Sequence, residues 1–361
     1  MRSRRHHVAL LLTAAFGVAA CGRGAGTPND AGAGGRGGSS GAGSGGAPAG
    51  GTLAARVCPG GTVLVASGSP VPAGATTRRI ASVPPKDVFN DNGNDFGIIE
   101  GVVWAGDALY LSEIASGANP PPARILKVVL PDVVSIVSTT AGTNGLILNG
   151  RGGLLGASHS AGGIIDITLP AGSSTGLVTQ YNGTRFNAPN DIALRADGNL
   201  YFSDPDYQAP STRPQQQTRV YRVAPGTNVV TVVDATRRQP NGVTLSFDEN
   251  TLFVSGADGI FSYPVLATGE VGPRARLSTM AGDGMAIDCA GRLYVASNAS
   301  VVVVDPMSGA VVASIPLGGV QSATNVAFGG ADRKTLFITA LGSGGQQGLF
   351  QLGLDVPGLP Y

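Results

Sequence analysis

At 361 residues, 42% hydrophobic and only 13% charged, with 56 glycines, 24 prolines and one tryptophan, the chain has the composition of many short strands joined by tight turns rather than of packed helices. Once Arg2, Arg4 and Arg5 of a leader segment are set aside, 21 of its 24 basic side chains face 23 acidic ones, so the remainder is near neutral. No Lys/Arg cluster with interleaved aromatics occurs, which excludes the electrostatic footprint of a nucleic-acid binder.

The first element, "MRSRRHHVALLLTAAFGVAAC", has a basic start, an apolar run from Val8 to Ala20 and small residues before a cysteine, the layout of an export signal over residues 1–20. The run is too short to make a good membrane span. Its end, Val18-Ala19-Ala20-Cys21, resembles the lipobox of bacterial lipoproteins, in which the cysteine is diacylated and becomes the new N-terminus. A soluble-secretion signal with a cysteine at the cut is the alternative. The resemblance implies a cell-envelope lipoprotein, facing the periplasm or anchored at the outer membrane, that meets the membrane only through lipid at Cys21. Residues 22–56 follow as a linker, nearly all Gly, Ala and Ser as far as Gly51, with too little apolar surface to offset ordering entropy. Thirty such residues span about 30 Å root-mean-square.

From residue 57 to 361 the pattern repeats. The segments "EGVVWAGDALYLSEI", "NGLILNGRGGLLGASH", "NDIALRADGNLYFSD", "NGVTLSFDENTLFVSG", "DGMAIDCAGRLYVAS" and "TNVAFGGADRKTLFITA" each give a leading residue, an apolar strand, a short turn and a second strand. They begin at Glu100, Asn144, Asn190, Asn241, Asp283 and Thr324, about 40 to 50 residues apart, which is propeller-blade spacing. Runs such as "ARILKVVL", "TRVYRVA" and "VVVVDP" supply outer strands, so the expected fold is all-β, a six-bladed β-propeller of four-stranded blades. A β-sandwich lacks the reason for such regular spacing.

In a propeller the first strands line a central channel and all start on one face, so the leading residues converge there. Glu100, Asn190, Asn241 and Asp283 then form an all-oxygen set of charge −2, which suits Ca²⁺, with other divalent ions such as Zn²⁺, Mg²⁺ or Mn²⁺ as alternatives. Turn chemistry alone explains Asn144-Gly145 or Asn241-Gly242 singly, but not Glu100. No zinc-type histidine set exists, because His6 and His7 lie in the leader.

With these residues in hand, the chain resembles the SMP-30/gluconolactonase/LRE-like family from about Ile98 to Ala340. "IEGVVW" is similar to the motif that carries a metal-binding glutamate, here Glu100. "RFNAPNDIALRADGNLYFSDP" matches the Asn-Asp motif with its pocket asparagine at Asn190. "QPNGVTLSFDENTLFVS" places the next ligand at Asn241, and "GDGMAIDCAGRLYVA" places the aspartate at Asp283. The resemblance implies a divalent ion, usually calcium, at the top of the channel and hydrolysis of sugar lactones or, in some branches, organophosphorus esters. Asp283 would serve as ligand and as general base or nucleophile. The chain departs from the pattern at Val102, where proline is usual, at Glu113, where aspartate is usual, and after His159, where an arginine is missing. His159, Arg185 and Tyr207 are the remaining substrate-binding candidates, against loop, surface and packing roles.

Cys58 and Cys289 are the cysteines left once Cys21 is acylated, and an exported setting permits a bridge between them. The expected activity is Ca²⁺-dependent opening of a small-molecule lactone by a monomeric enzyme. A non-catalytic propeller that binds a glycan or protein, and a phosphotriesterase-type hydrolase, are the alternatives.

Overall fold

The computed structural model describes residues 57–59, 68–80, 83, 95–116, 120–342 and 346–359. The export signal, Cys21 and the whole linker, residues 22–56, lie outside them. All described residues fall in one compact unit, Ser44–Tyr361.

The described residues are all-β and form six four-stranded antiparallel sheets plus a small hairpin. In chain order the blades are β2–β5 (Asp95–Ala105, Ala108–Ser116, Ala123–Val129, Val133–Ser138), β6–β9 (Thr143–Leu148, Leu154–Ser158, Gly163–Ile167, Ser174–Val178) and β12–β15 (Ile192–Leu194, Leu200–Asp204, Arg219–Val223, Val230–Asp234). They continue with β16–β19 (Pro240–Leu245, Thr251–Gly256, Ile260–Pro264, Ala275–Ser278) and β20–β23 (Met285–Ile287, Leu293–Ser297, Ser300–Val304, Val311–Pro316). The sixth blade joins β24–β26 (Ser322–Gly329, Thr335–Leu341, Gly348–Gly353) to β1 (Arg78–Ile80), which pairs β26 with Arg79 opposite Phe350. The ring is therefore closed by a strand from before the first blade. The small hairpin, β10 (Gln180–Tyr181) with β11 (Thr184–Arg185), lies between the second and third blades in the chain.

Inner strands are buried on both faces because each sheet is sandwiched between two others; β6, β7, β13 and β16 show hardly any exposed position. Outer strands such as β5 alternate exposed and half-buried residues. The apolar side chains sort into six clusters, each centred on one blade–blade interface. The core is thus a ring of wedges, and the axis is left to shorter, more polar residues.

Candidate functional site

Each innermost strand begins at the same end of the channel, and a hydrogen bond ties each start to the next blade. Ser112 Oγ meets Thr143 Oγ1 at 2.8 Å, Gly145 N donates to Asn190 O at 2.6 Å, and Val243 N donates to Asp191 Oδ2 at 2.9 Å. Ser255 Oγ donates to Asp283 O at 2.6 Å, Gly284 N to Thr324 O at 2.8 Å, and Thr324 Oγ1 to Ile99 O at 2.5 Å, which closes the circle. Glycine makes this closeness possible. A Cβ on Gly101, whose φ is +57°, would lie 1.9 Å from Asn144 O, and one on Gly242 would lie 2.3 Å from Asp283 O.

Three carboxylates meet at this end: Glu100, Asp283 and Asp191. Burial, followed by repulsion from Asp283 and Asp191, pushes the Glu100 carboxyl well above its ordinary range. Burial and then the Asp191 charge do the same to Asp283. Burial raises Asp191 to about 7, even though the Val243 and Ile192 amides, at 2.9 and 3.0 Å, favour its ionised form. Among the described residues no guanidinium or ammonium group acts on any of the three. The Asn241 side chain lies beside Asp283 and the Tyr207 hydroxyl, and its Oδ1 is buried without a partner; the Asn325 side chain lies beside Glu100.

A cation fits this set, because uncompensated buried carboxylates and an orphaned carboxamide oxygen are what an ion of the calcium type takes. Among the described residues no three His, Cys, Asp or Glu side chains form a metal centre by themselves, so the fit depends on the carboxamides. Sequence reasoning omitted Asp191, which brings the charge of the ring to −3. The signal was present: the residue after each leading position is glycine in four blades, and Asp191 stands in that slot in the third.

The other candidates are placed as follows. Asn190 is 4% exposed and shares the ring through its backbone, N–H to Ser203 O at 3.0 Å and carbonyl to Gly145. Tyr207 is 40% exposed, with its hydroxyl beside Asn241, Asp283 and Glu100. The contacts of Arg185 and His159 run elsewhere. Arg185 Nη2 donates to His159 O at 2.7 Å, and His159, with no exposed surface, donates from Nε2 to Pro121 O at 2.9 Å. Neither contact is with the carboxylate ring. Glu113 pairs with Arg124 at 2.5 Å inside the first blade.

The channel below the ring narrows to a void of about 30 Å³ whose walls include Asp191, Ile192, Val243 and Arg333. At the far end Gly358 donates to Arg333 O and packs so tightly on Phe328 that a Cβ would lie 1.8 Å from its ring. A larger cleft, about 810 Å³, lies among the turns of the opposite face and gathers Asp248, Arg292, Asp305 and Met307.

Residues 98–342 match the SMP-30/Gluconolactonase/LRE-like region. The chain is 27% identical over 310 residues to the gluconolactonase of Zymomonas mobilis, covering 74% of this chain and 85% of that protein. Lactonohydrolase oryL of Aspergillus oryzae is 29% identical over 164 residues, 41% of this chain and 37% of that one. Among solved structures, the gluconolactonase from Xanthomonas campestris superposes with a TM-score of 0.64 at 25% identity, over 78% of this chain and 90% of that one. Regucalcin from Agrobacterium tumefaciens, described as a calcium-binding protein, shares the fold at a TM-score of 0.60 and 18% identity, over 74% and 92%. The chain belongs to the SMP-30/gluconolactonase/LRE-like family.

Proposed function

We propose that the protein is a divalent-cation-dependent hydrolase, calcium being the ion its oxygen donors favour, and that it opens a sugar-type lactone at the carboxylate end of the channel. The observation that carries this reading is the ring of Glu100, Asp191, Asp283 and the orphaned Asn241 Oδ1, with no cationic side chain among the described residues to balance it. Similarity to gluconolactonases and a lactonohydrolase supports the reaction class. Glu100, Asn190, Asn241 and Asp283 would hold the ion, with Asn190 also on the substrate side. When bound, such an ion polarises a lactone carbonyl and acidifies a water molecule. Asp283 takes the proton of the attacking water and returns it to the ring oxygen as the C–O bond opens.

The test is a panel of an aldonolactone, an aromatic lactone and a phosphotriester, with and without calcium, on chain beginning at Val57. Calcium-dependent turnover of the aldonolactone is expected. Turnover of the phosphotriester alone would move the assignment to the ester branch, and turnover of none would leave a binding propeller. We further propose that residues 57–361 form the catalytic domain and that lipid on Cys21 holds it at the cell envelope. Mass spectrometry of the mature N-terminus should find diacylated Cys21, lost in Cys21→Ser; an unmodified wild-type terminus contradicts it.

A further inference from the structure

The loop between β13 and β14, residues 205–218, is bolted down on both sides of Tyr207. Asp206 N–H donates to Gln239 Oε1 at 3.2 Å, Gln239 Nε2 returns a bond to Asp206 Oδ1, and Arg213 Nη1 holds Asp206 Oδ2 at 2.6 Å. Gln239 adopts a φ of +48°, a conformation that costs a non-glycine residue energy and persists only where its surroundings enforce it. It lies two residues before Asn241. Further along, Gln215 Nε2 donates to Thr184 O at 3.0 Å and to Arg185 O at 3.1 Å. A clamp this extensive around an aromatic residue that is 40% exposed is not explained by packing. Among the described residues the other exposed large apolar side chains are on outer strands, on turns of the opposite face or beside Cys58, whereas Tyr207 is at the channel mouth.

The chemistry of the mouth gives the clamp a purpose. When the carboxyls are ionised, Glu100, Asp191, Asp283 and Asn241 Oδ1 present lone pairs only. They suit a cation but offer no hydrogen bond to an oxygen that becomes negative, as the carbonyl oxygen of a lactone does when water adds. The Tyr207 hydroxyl lies beside Asn241, Asp283 and Glu100, and its O–H is the kind of donor that these groups lack when ionised. The geometry points to Tyr207 as a catalytic residue whose O–H donates to the lactone carbonyl oxygen as it turns into the oxyanion, with Asp206 and Gln239 as positioning residues. The proposal rests on the lactonase reading above. In the step, the water oxygen bonds to the carbonyl carbon, the C=O π pair moves onto oxygen, and the water proton goes to Asp283; Tyr207 keeps its proton throughout.

The experiment compares wild type, Tyr207→Phe, Asp206→Ala and the double variant in lactone turnover and in calcium calorimetry. Loss of one preorganised donor lowers kcat by about 10²-fold, so Tyr207→Phe should show that fall with KM within a few-fold and calcium affinity unchanged. Asp206→Ala should lower kcat in the same sense but less. The double variant should be no worse than Tyr207→Phe, because the clamp acts through the hydroxyl. Wild-type kcat in Tyr207→Phe, a loss that disappears at saturating calcium, or additive losses in the double variant would overturn the assignment of Tyr207 alone. Absence of lactone turnover by the wild-type protein would overturn this assignment and the lactonase reading together.

Discussion

His159 shows how far one residue's meaning depends on what surrounds it. Beside a motif of this family it reads as a pocket histidine, yet it is fully buried, and burial holds its pKa down at about 4. The Pro121 carbonyl at 2.9 Å partly opposes that shift, and Nδ1 is buried without a partner. The folded state thus keeps the ring neutral while the unfolded chain titrates it near 6.5. The stabilisation this gives is present above about pH 6.5 and is lost as pH falls toward 4, up to about 3 kcal/mol. Urea unfolding of wild type and His159→Gln at pH 7 and pH 4.5 should converge, the wild type losing more. Parallel losses would show that His159 is not the group responsible. Asp191 is the opposite case: visible in the sequence beside Asn190, it becomes a site residue only when the third blade's missing glycine is compared with Gly101, Gly145, Gly242 and Gly284.

The inner strands set the geometry of the ring by approaching one another at glycine. Gly101 combines a φ of +57° with Asn144 O at 1.9 Å from the Cβ position, whereas Gly106, in the turn between β2 and β3, has a φ of +65° and open space. Gly106→Ala should cost about 1 kcal/mol from backbone strain alone, and Gly101→Ala at least about 2 kcal/mol more because backbone must move. Chemical denaturation of both variants measures the difference, and equal losses would mean that the close approach carries no energy. The strand pairs and turns of the six units were legible because each places an apolar run either side of a turn, as with Ile192 to Leu194, the turn at Asp197-Gly198 and Leu200 to Asp204. β1 was not legible. Its three residues, Arg78, Arg79 and Ile80, hold one buried side chain, and only the free edge of β26 gives them a partner.

Across the whole molecule the two faces divide the work. Carboxylates and Tyr207 occupy the mouth, while the opposite face carries the bridge that joins Cys58 to Cys289, with Cα atoms 5.8 Å apart, and the tail in which Cys289 N donates to Pro357 O and Leu359 N to Ile287 O. The number and setting of the cysteines permitted that bridge, but their 231-residue separation gave no reason to choose it until the end of β20 and the start of the domain met. Cys289→Ser should lower stability by about 3–5 kcal/mol while leaving turnover at 25 °C unchanged, since the bridge is remote from the ring. Loss of turnover in a folded variant would contradict that separation of faces. The central claim, that the ring binds a cation and Asp283 moves the proton, is tested most directly by lactone turnover across a calcium titration in wild type, Asn241→Ala and Asp283→Asn. Wild type should be inactive in chelator and saturate with calcium, Asn241→Ala should need more calcium but retain turnover, and Asp283→Asn should stay nearly inactive at every concentration. Near wild-type turnover by Asp283→Asn at saturating calcium, or full activity of the wild type in chelator, would contradict it.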